Sequence, residues 1–221
     1  MDLNDAYAVK TPQDSRKLYA DWAATYDETF VKANAYVYPR TIAEHFDRHT
    51  PTDQIKTVVD IGCGTGVVGK YLSNLRHQIL IDGFDISPEM LTQASALKRL
   101  DGSPVYRDLI EVDLTQNMTQ DMTQDRTVDV FDSMISAGTF THGHLGPKTL
   151  VSLIDLVRIG GWLVIGINAM HFSSQGFAEA LGSAVESKTI SAPTYTDVQI
   201  YGPTSPHFGD LARIATFQRT A

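Results

Sequence analysis

Residues 58–66 read VVDIGCGTG, an apolar run that stops at three glycines, each separated from the next by one residue. A short apolar run bounded in this way is a buried strand. Glycines lack Cβ, so the chain can turn tightly and bring its backbone close to a ligand. The helix that follows then presents N–H groups with no intrahelical partner. The segment therefore predicts a strand over 57–61, a glycine turn, and a helix over 67–75. By itself, a turn of this kind is weak evidence, since a tight connection that binds nothing is the alternative.

The rest of the chain repeats the alternation. Residues 78–84, 105–112, 128–135 and 162–167 read as further strands, and 88–97, 147–157 and 177–185 as helices. Pro88 suits a first helical position, with Ser87 as its N-cap, and Gly160 with Gly161 is taken to end the 147–157 helix. Strands separated by helices predict a sheet that is mostly parallel and covered on both faces. The last two strands, 194–201 and 212–219, have no helix between them and predict an antiparallel hairpin at one edge. The expected fold class is α/β, a Rossmann-like, doubly wound, seven-stranded sheet. The polar repeat TQNMTQDMTQD, residues 115–125, follows neither period and reads as a surface loop. Upstream, residues 13–30 read as one helix, with Tyr19, Trp22 and Tyr26 on one face. Those rings either pack into the core or cover a ligand. Pro39 opens a second helix that runs through Phe46.

Bulk composition narrows the partner. With 43% hydrophobic and 20% charged residues, the 221-residue chain can bury the core of one sizeable domain. Its single cysteine, Cys63, excludes an intrachain disulfide and a zinc site built on cysteines. No apolar stretch approaches the roughly 20 residues that span a bilayer, and the N-terminus lacks the apolar region of a secretory signal. A cytoplasmic protein without a membrane partner is expected. A net charge of −8 and the lack of any Lys or Arg run argue against nucleic acid, whose phosphates demand basic contacts. A small-molecule partner is expected instead.

Two carboxylates give the glycine turn a ligand class. Asp85 falls at the end of the second strand, where an acid accepts hydrogen bonds from ribose hydroxyls, and Asp113 falls just past the third, within reach of an adenine amino group. Two frames compete. Gly64, Gly66 and Gly69 fit the dinucleotide pattern G-x-G-x-x-G, with Asp85 about 20 residues on. That frame begins inside the turn and leaves Asp60 and Gly62 without a role. The frame Asp60-x-Gly62-x-Gly64-x-Gly66 uses all four, so a dehydrogenase is disfavoured.

VVDIGCGTG, then GFDISPEML at 83–91, then EVDL at 111–114 resemble, in order and separation, motifs I, II and III of the class I methyltransferases that depend on S-adenosylmethionine (SAM). The resemblance covers roughly residues 15–170 and extends to VDVFDSMISAG and RIGGWLVI. It implies that Asp60, Gly62, Cys63 and Gly64 line the methionine part of SAM and that Asp85 holds the ribose. Ile86 and Met90 would lie against the adenine, Asp113 and Leu114 would meet its edge, and Ser136 would join the same shell. The product would be S-adenosylhomocysteine (SAH). Residues 1–50 would form an N-terminal helical lid on a core at 51–221, all within one domain, as monomer or homodimer. Under this likeness Tyr19, Trp22 and Tyr26 read as cofactor-binding lid residues. A narrower likeness joins LYADWAATYD (18–27) and GTFTHGHLGP (138–147) to the methyltransferase-like protein 27 group, named for the Williams–Beuren region.

Methyl transfer from a sulfonium needs a base only if the acceptor must lose a proton. His142 and His144, after the fourth strand, are the candidates, His142 first, with His171 a weaker third. Asn168 alone hints at a metal ligand, so no metal is expected. No Asp-Pro-Pro-Tyr or Asn-Pro-Pro-Tyr follows the fourth strand, which disfavours amino methylation of bases. Tyr36, Tyr38, Arg40 and Phe172 are placed in an acceptor pocket. The expected activity is methyl transfer to an O, N, S or C atom of a small molecule. The alternatives are a non-catalytic SAM-binding module, or methylation of a protein or nucleic acid.

Overall fold

The run after Lys56 forms β1 (Thr57–Ile61), and its last four residues are all buried, so this strand has no solvent face. Strands covered on both sides read as continuous apolar runs, as expected of parallel strands under helices. The computed structural model describes residues 11–23, 25–116 and 130–221. The further strands are β2 (Leu80–Asp85), β3 (Asp108–Glu111), β4 (Phe131–Phe140), β5 (Val157–Asn168), β6 (Thr194–Gln199) and β7 (Leu211–Gln218). With β1 they form one seven-stranded sheet in the order β3-β2-β1-β4-β5-β7-β6. The first five strands are mutually parallel. Strand β7 is antiparallel to both β5 and β6. The predicted fold class and its edge hairpin are therefore present.

Adjacent residues of each strand point to opposite faces, and they enter two separate cores. Val58, Ile135, Val164 and Ile214 join one cluster, while Val59, Met134, Leu163 and Ala215 join the other. The first is covered by α2 (Tyr38–His49), α3 (Val67–Leu75) and α4 (Pro88–Ala96), and α1 (Pro12–Trp22) reaches it through Trp22. The second is covered by α5 (Pro147–Leu153) and α7 (Phe177–Glu186). No helix among the described residues is long and apolar enough to cross a membrane.

Three expectations need correction. The helix expected over 13–30 stops at Trp22 and resumes as a π-helical turn, Asp27–Lys32, so Tyr26 does not lie on the helix that carries Tyr19. Gly160 and Gly161 do not end a helix: β5 already starts at Val157 and runs through them. The pairing steps from Phe131↔Val157 to Ser133↔Trp162, so the pair lies in a bulge. A Cβ on Gly161 would come within 2.6 Å of the Asp132 carbonyl oxygen. Lastly, a short helix, α6 (Ala169–Ser174), follows β5 where none was foreseen. Asn168 Oδ1 accepts from the N–H groups of Met170 (3.0 Å) and His171 (3.1 Å), so Asn168 is its N-cap and its oxygen is not offered to a metal. Of the expected loop at 115–125, all beyond Gln116 lies outside the described residues.

Helices α2 and α3 are joined by one buried cation. Arg76, at the end of α3, lies over the Phe46 ring and donates to the Thr50 carbonyl (2.8 Å), the Asp47 carbonyl (3.0 Å) and Asp47 Oδ1 (2.9 Å). Its donors satisfy carbonyls at the C-terminus of α2 that have no helical partner. Arg76→Met should cost about 3 kcal/mol, because it strands those carbonyls and one partner of a largely buried pair. A urea midpoint within error of wild type would show that the clamp contributes nothing.

Candidate active site

Two glycines of the β1–α3 turn take a left-handed backbone for different reasons. Gly62 (φ 65°) has no room for a side chain, because a Cβ there would collide with Thr139 on β4. Gly64 (φ 53°) has open space, with nothing within 4 Å of where its Cβ would be. The turn folds over the end of β2, with the N–H groups of Gly62 and Cys63 donating to the Phe84 carbonyl at 2.8 and 3.1 Å. Asp85 then accepts the Gly64 N–H at Oδ2 (2.9 Å) and the Ser87 N–H at Oδ1 (2.9 Å). Each carboxylate oxygen has a further lone pair for a ligand hydroxyl. Burial pushes the Asp85 carboxyl above its usual range, against the pull of those backbone N–H groups.

Over this turn lies a cavity of about 450 Å³. Its lining brings together Tyr19, Tyr26, Gly62, Cys63, Gly64, Asp85, Ile86, Met90, Asp113, Leu114 and His144 of the residues expected from sequence. Asp113 accepts the Thr115 N–H (3.0 Å), the Thr115 hydroxyl (2.6 Å) and the Gln116 amide (3.0 Å). Burial alone would raise its carboxyl, but these hydrogen bonds outweigh it and hold it below the ordinary value. The Cys63 thiol is pushed well up by burial, which keeps it protonated.

Four expected residues are not in the lining. Trp22 is 2% exposed and packed in the core, its indole N–H donating to Thr29 Oγ1 at 2.9 Å. Asp60 is fully buried beneath the turn, where it accepts the Tyr106 hydroxyl at 2.7 Å. The Ser136 hydroxyl donates to the Ile61 carbonyl (2.8 Å), tying β4 to β1. His142 lies beside the His171 ring, with centroids 5.3 Å apart, and its carbonyl oxygen accepts from His144 Nδ1 at 2.8 Å. That contact fixes the tautomer of His144, because a carbonyl can only accept. Nε2 then carries the lone pair and accepts the Tyr19 hydroxyl at 3.1 Å. Burial holds His144 below the ordinary imidazole range despite the His142 carbonyl, so it is a neutral acceptor at neutral pH. Of the two histidines, the turn places His144 in the lining of the cavity. His171 is buried, with Nε2 on the Leu145 carbonyl (3.3 Å).

Of the residues placed in an acceptor pocket, Tyr36 and Tyr38 line a second cavity that adjoins the first. Arg40 is exposed and paired with Glu44, while Phe172 is buried with Arg213 across its ring, so neither is part of it. Sequence reasoning missed Tyr201 and Ile200 there, and Thr139 in the first cavity. Among the described residues, no group of three or more His, Cys, Asp or Glu side chains is arranged to hold a metal ion.

The methyltransferase domain family matches residues 52–187 of this chain. The tRNA U34 carboxymethyltransferase of Shewanella loihica is 30% identical over 123 residues, which are 55% of this chain and 34% of that protein. The protein of the same name from Shewanella frigidimarina is 32% identical over 113 residues, or 50% and 31%. The chain thus spans about a third of the length of these relatives. Among solved structures, the magnesium protoporphyrin IX methyltransferase of Synechocystis PCC 6803, with bound SAM, superposes with a TM-score of 0.64. It is 17% identical, and the match covers 96% of this chain and 99% of that one. The cyclase SpnF superposes at 0.67 with 14% identity, covering 96% and 98%. At such identities the likeness is one of fold.

The buried Asp60 makes stability depend on pH. Burial raises its carboxyl from 3.8 to about 7, against the Tyr106 hydrogen bond, which lowers it. Below about pH 3 both folded and unfolded chains hold most of this proton. As pH rises towards 7 the unfolded chain releases it while the folded chain keeps it, so stability falls across that window. Asp60→Asn keeps an acceptor for Tyr106 and removes the titration. Urea unfolding between pH 4 and 8 should show the variant gaining on wild type as pH rises; parallel profiles would clear Asp60 of the effect.

Proposed function

We propose that this chain, which belongs to the methyltransferase domain family, transfers the methyl group of SAM to a small-molecule acceptor held beside Tyr19 and His144. The observation that carries the reading is the cradle between Gly64 and Asp85. There the backbone leaves open space, and a carboxylate keeps unused lone pairs beside it. That combination fits a ribose next to a close backbone approach. Ile86, Met90 and Leu114 supply apolar walls for a purine, and Asp113 supplies a polar edge. The rings of Tyr19 and Tyr26 face the same space, where an aromatic face attracts a cation by about 0.5–2 kcal/mol.

SAM supplies a methyl group on a sulfonium; transfer forms the bond from acceptor to methyl carbon, breaks the carbon–sulfur bond and leaves SAH. The protein's work is mainly positioning, which can supply about 7–11 kcal/mol of the barrier. The acceptor's proton passes to the Tyr19 hydroxyl oxygen as that hydroxyl gives its own proton to His144 Nε2, whose one lone pair it already engages. His142 acts on His144 through its carbonyl and orients the ring. In this reading α1 and the Asp27–Lys32 turn serve as the lid and α2 belongs with the core, and Arg16 pairs with Glu111 to tie α1 to the edge of β3. Within the family we place the chain near the methyltransferase-like protein 27 group, because the segments at 18–27 and 138–147 meet in the Tyr19–His144 contact.

A nucleic-acid acceptor is the second reading, favoured by the name of the curated relatives. Against it stand the share of those relatives that the chain spans and its net charge of −8. Thermal shift should rise with SAM and SAH and not with NAD; a shift with NAD alone would overturn the donor. Asp85→Asn should weaken SAM by about tenfold or more, the worth of hydrogen bonds to a charged group. Labelled SAM incubated with a metabolite extract and, separately, with tRNA should label a small molecule and leave the tRNA unlabelled. Once the acceptor is in hand, His144→Gln should lower turnover by about 10²–10⁴-fold with SAM affinity unchanged. Full turnover would remove His144 as the base.

A further inference from the structure

Strand β4 departs from a regular ladder where it reaches the site. Ser136 pairs with Ile165 of β5 and Phe140 with Ile167, so four steps along β4 answer two along its neighbour. Ala137, Gly138 and Thr139 lie in the resulting bulge, and all three line the main cavity. Bulges beside a site re-aim a side chain. Gly138 takes a left-handed backbone (φ 80°), and a Cβ there would stand 2.8 Å from the Tyr36 hydroxyl oxygen. The next residue is Thr139, whose side chain reaches the end of β1.

The glycine turn is secured on two opposite sides. Gly62, Cys63 and Gly64 donate their N–H groups towards β2, to the Phe84 carbonyl and to Asp85. Two carbonyls meet β4 instead. Ser136 donates to that of Ile61. The Thr139 hydroxyl stands 3.1 Å from the same oxygen and 3.4 Å from the Gly62 oxygen, with one proton to share between them. Its side chain also fills the room that Gly62 leaves, since a Cβ on Gly62 would come within 2.6 Å of Thr139 Cγ2. The main chain of Thr139 faces the other way. Its carbonyl accepts the Leu145 N–H at 3.2 Å, and that N–H belongs to the peptide joining His144 to Leu145. The Leu145 carbonyl is held in turn by His171 Nε2, at 3.3 Å.

We propose that Thr139 is a positioning residue for methyl transfer, holding the turn that carries the donor and the turn that carries His144 at one fixed separation. It meets the first with its hydroxyl and methyl and the second with its carbonyl. The two turns cannot move apart without breaking one of these contacts. Reacting atoms must meet at about 3–3.5 Å, and a misplacement of about 1 Å costs on the order of 10²-fold in rate. Thr139 acts on that distance through the backbone of both turns. The inference rests on the SAM reading above and adds to it the residue that aligns donor and base.

The test uses the full chain with SAH, and labelled SAM with whichever acceptor pool, metabolite extract or tRNA, wild type labels. Thr139→Val keeps nearly the same shape and removes the hydroxyl, while Thr139→Ser keeps the hydroxyl. By calorimetry Thr139→Val should bind SAH about fivefold to tenfold more weakly than wild type, one hydrogen bond's worth, and Thr139→Ser within about twofold. At saturating SAM the labelling rate of Thr139→Val should still fall by about tenfold to a hundredfold, because saturation restores occupancy and not alignment. A threonine that served stability alone would lower the melting temperature and leave both readings unchanged below it. Undiminished SAH affinity in Thr139→Val, an equal loss in Thr139→Ser, or full labelling at saturation would overturn the proposal. No SAH binding by wild type would instead overturn the donor reading beneath it. If wild type binds SAH and labels neither pool, the catalytic reading falls and Thr139 with it.

Discussion

The Asp85 carboxylate joins two loops that would otherwise settle independently. Strands β1 and β2 pair in parallel register, Ile61 opposite Phe84, so both end at one edge of the sheet. Asp85 is the next residue of β2, and its two oxygens take the N–H of Gly64 from one loop and of Ser87 from the other. Ser87 also caps α4, its hydroxyl accepting the Met90 N–H at 3.2 Å. One side chain thereby fixes the start of α4, the place of Met90 and the path of the glycine turn. The parallel sheet brings these ends together; the carboxylate sets their spacing.

The two cavities are held by different kinds of contact. The donor side is built from sequence-local turns at strand ends, mostly through backbone N–H groups. The second cavity is built from segments far apart in the chain. Tyr36 bridges to Tyr201, the N–H groups of Val37 and Tyr38 both donate to the Ile200 carbonyl (3.1 and 3.2 Å), and Gly202 donates to Ala35 (2.8 Å). The segment after β6 therefore packs on the segment before α2, and their rings make the wall. Among the described residues, His144 and the aromatic residues Tyr19, Tyr26 and Tyr36, with Gly138, line both cavities.

That division explains what could be read from the sequence. The placement of the glycine turn, Asp85 and Asp113 around one cavity was legible because it follows from strand ends and nearest neighbours. The edge hairpin was legible because no helix separates its strands. Trp22 was not: its spacing from Tyr19 is helical, but only the tertiary packing of Phe30 and Tyr26 decides that it turns into the core. His142 and His144 differ by two residues, and the Nδ1 contact of one on the carbonyl of the other decides which ring reaches the cavity. Tyr201 gave no local signal, because it joins Tyr36 only through long-range pairing. Gly160 and Gly161 misled for a related reason. Glycines that often stop helices also admit a bulge, and the neighbouring strand chose between them.

Two groups in the core are costlier than their neighbours, and both lie against the site. A buried carboxyl at Asp60 disfavours its own charge, and its value of about 7 expresses that cost. A phenylalanine at position 38 would fill nearly the same volume without an unpartnered hydroxyl, which costs about 1–3 kcal/mol when buried. Elsewhere the buried polar side chains are mostly spent on structure: Ser136 on a carbonyl, Arg76 on a helix end, and His45 on Thr216 at 3.0 Å. Local rules are broken where a chain trades stability for something else. Asp60 answers to the Tyr106 hydroxyl beneath the turn, and so holds the floor of the donor side. Among the described residues the Tyr38 hydroxyl has no hydrogen-bond partner, and it is packed over Gly166 of β5.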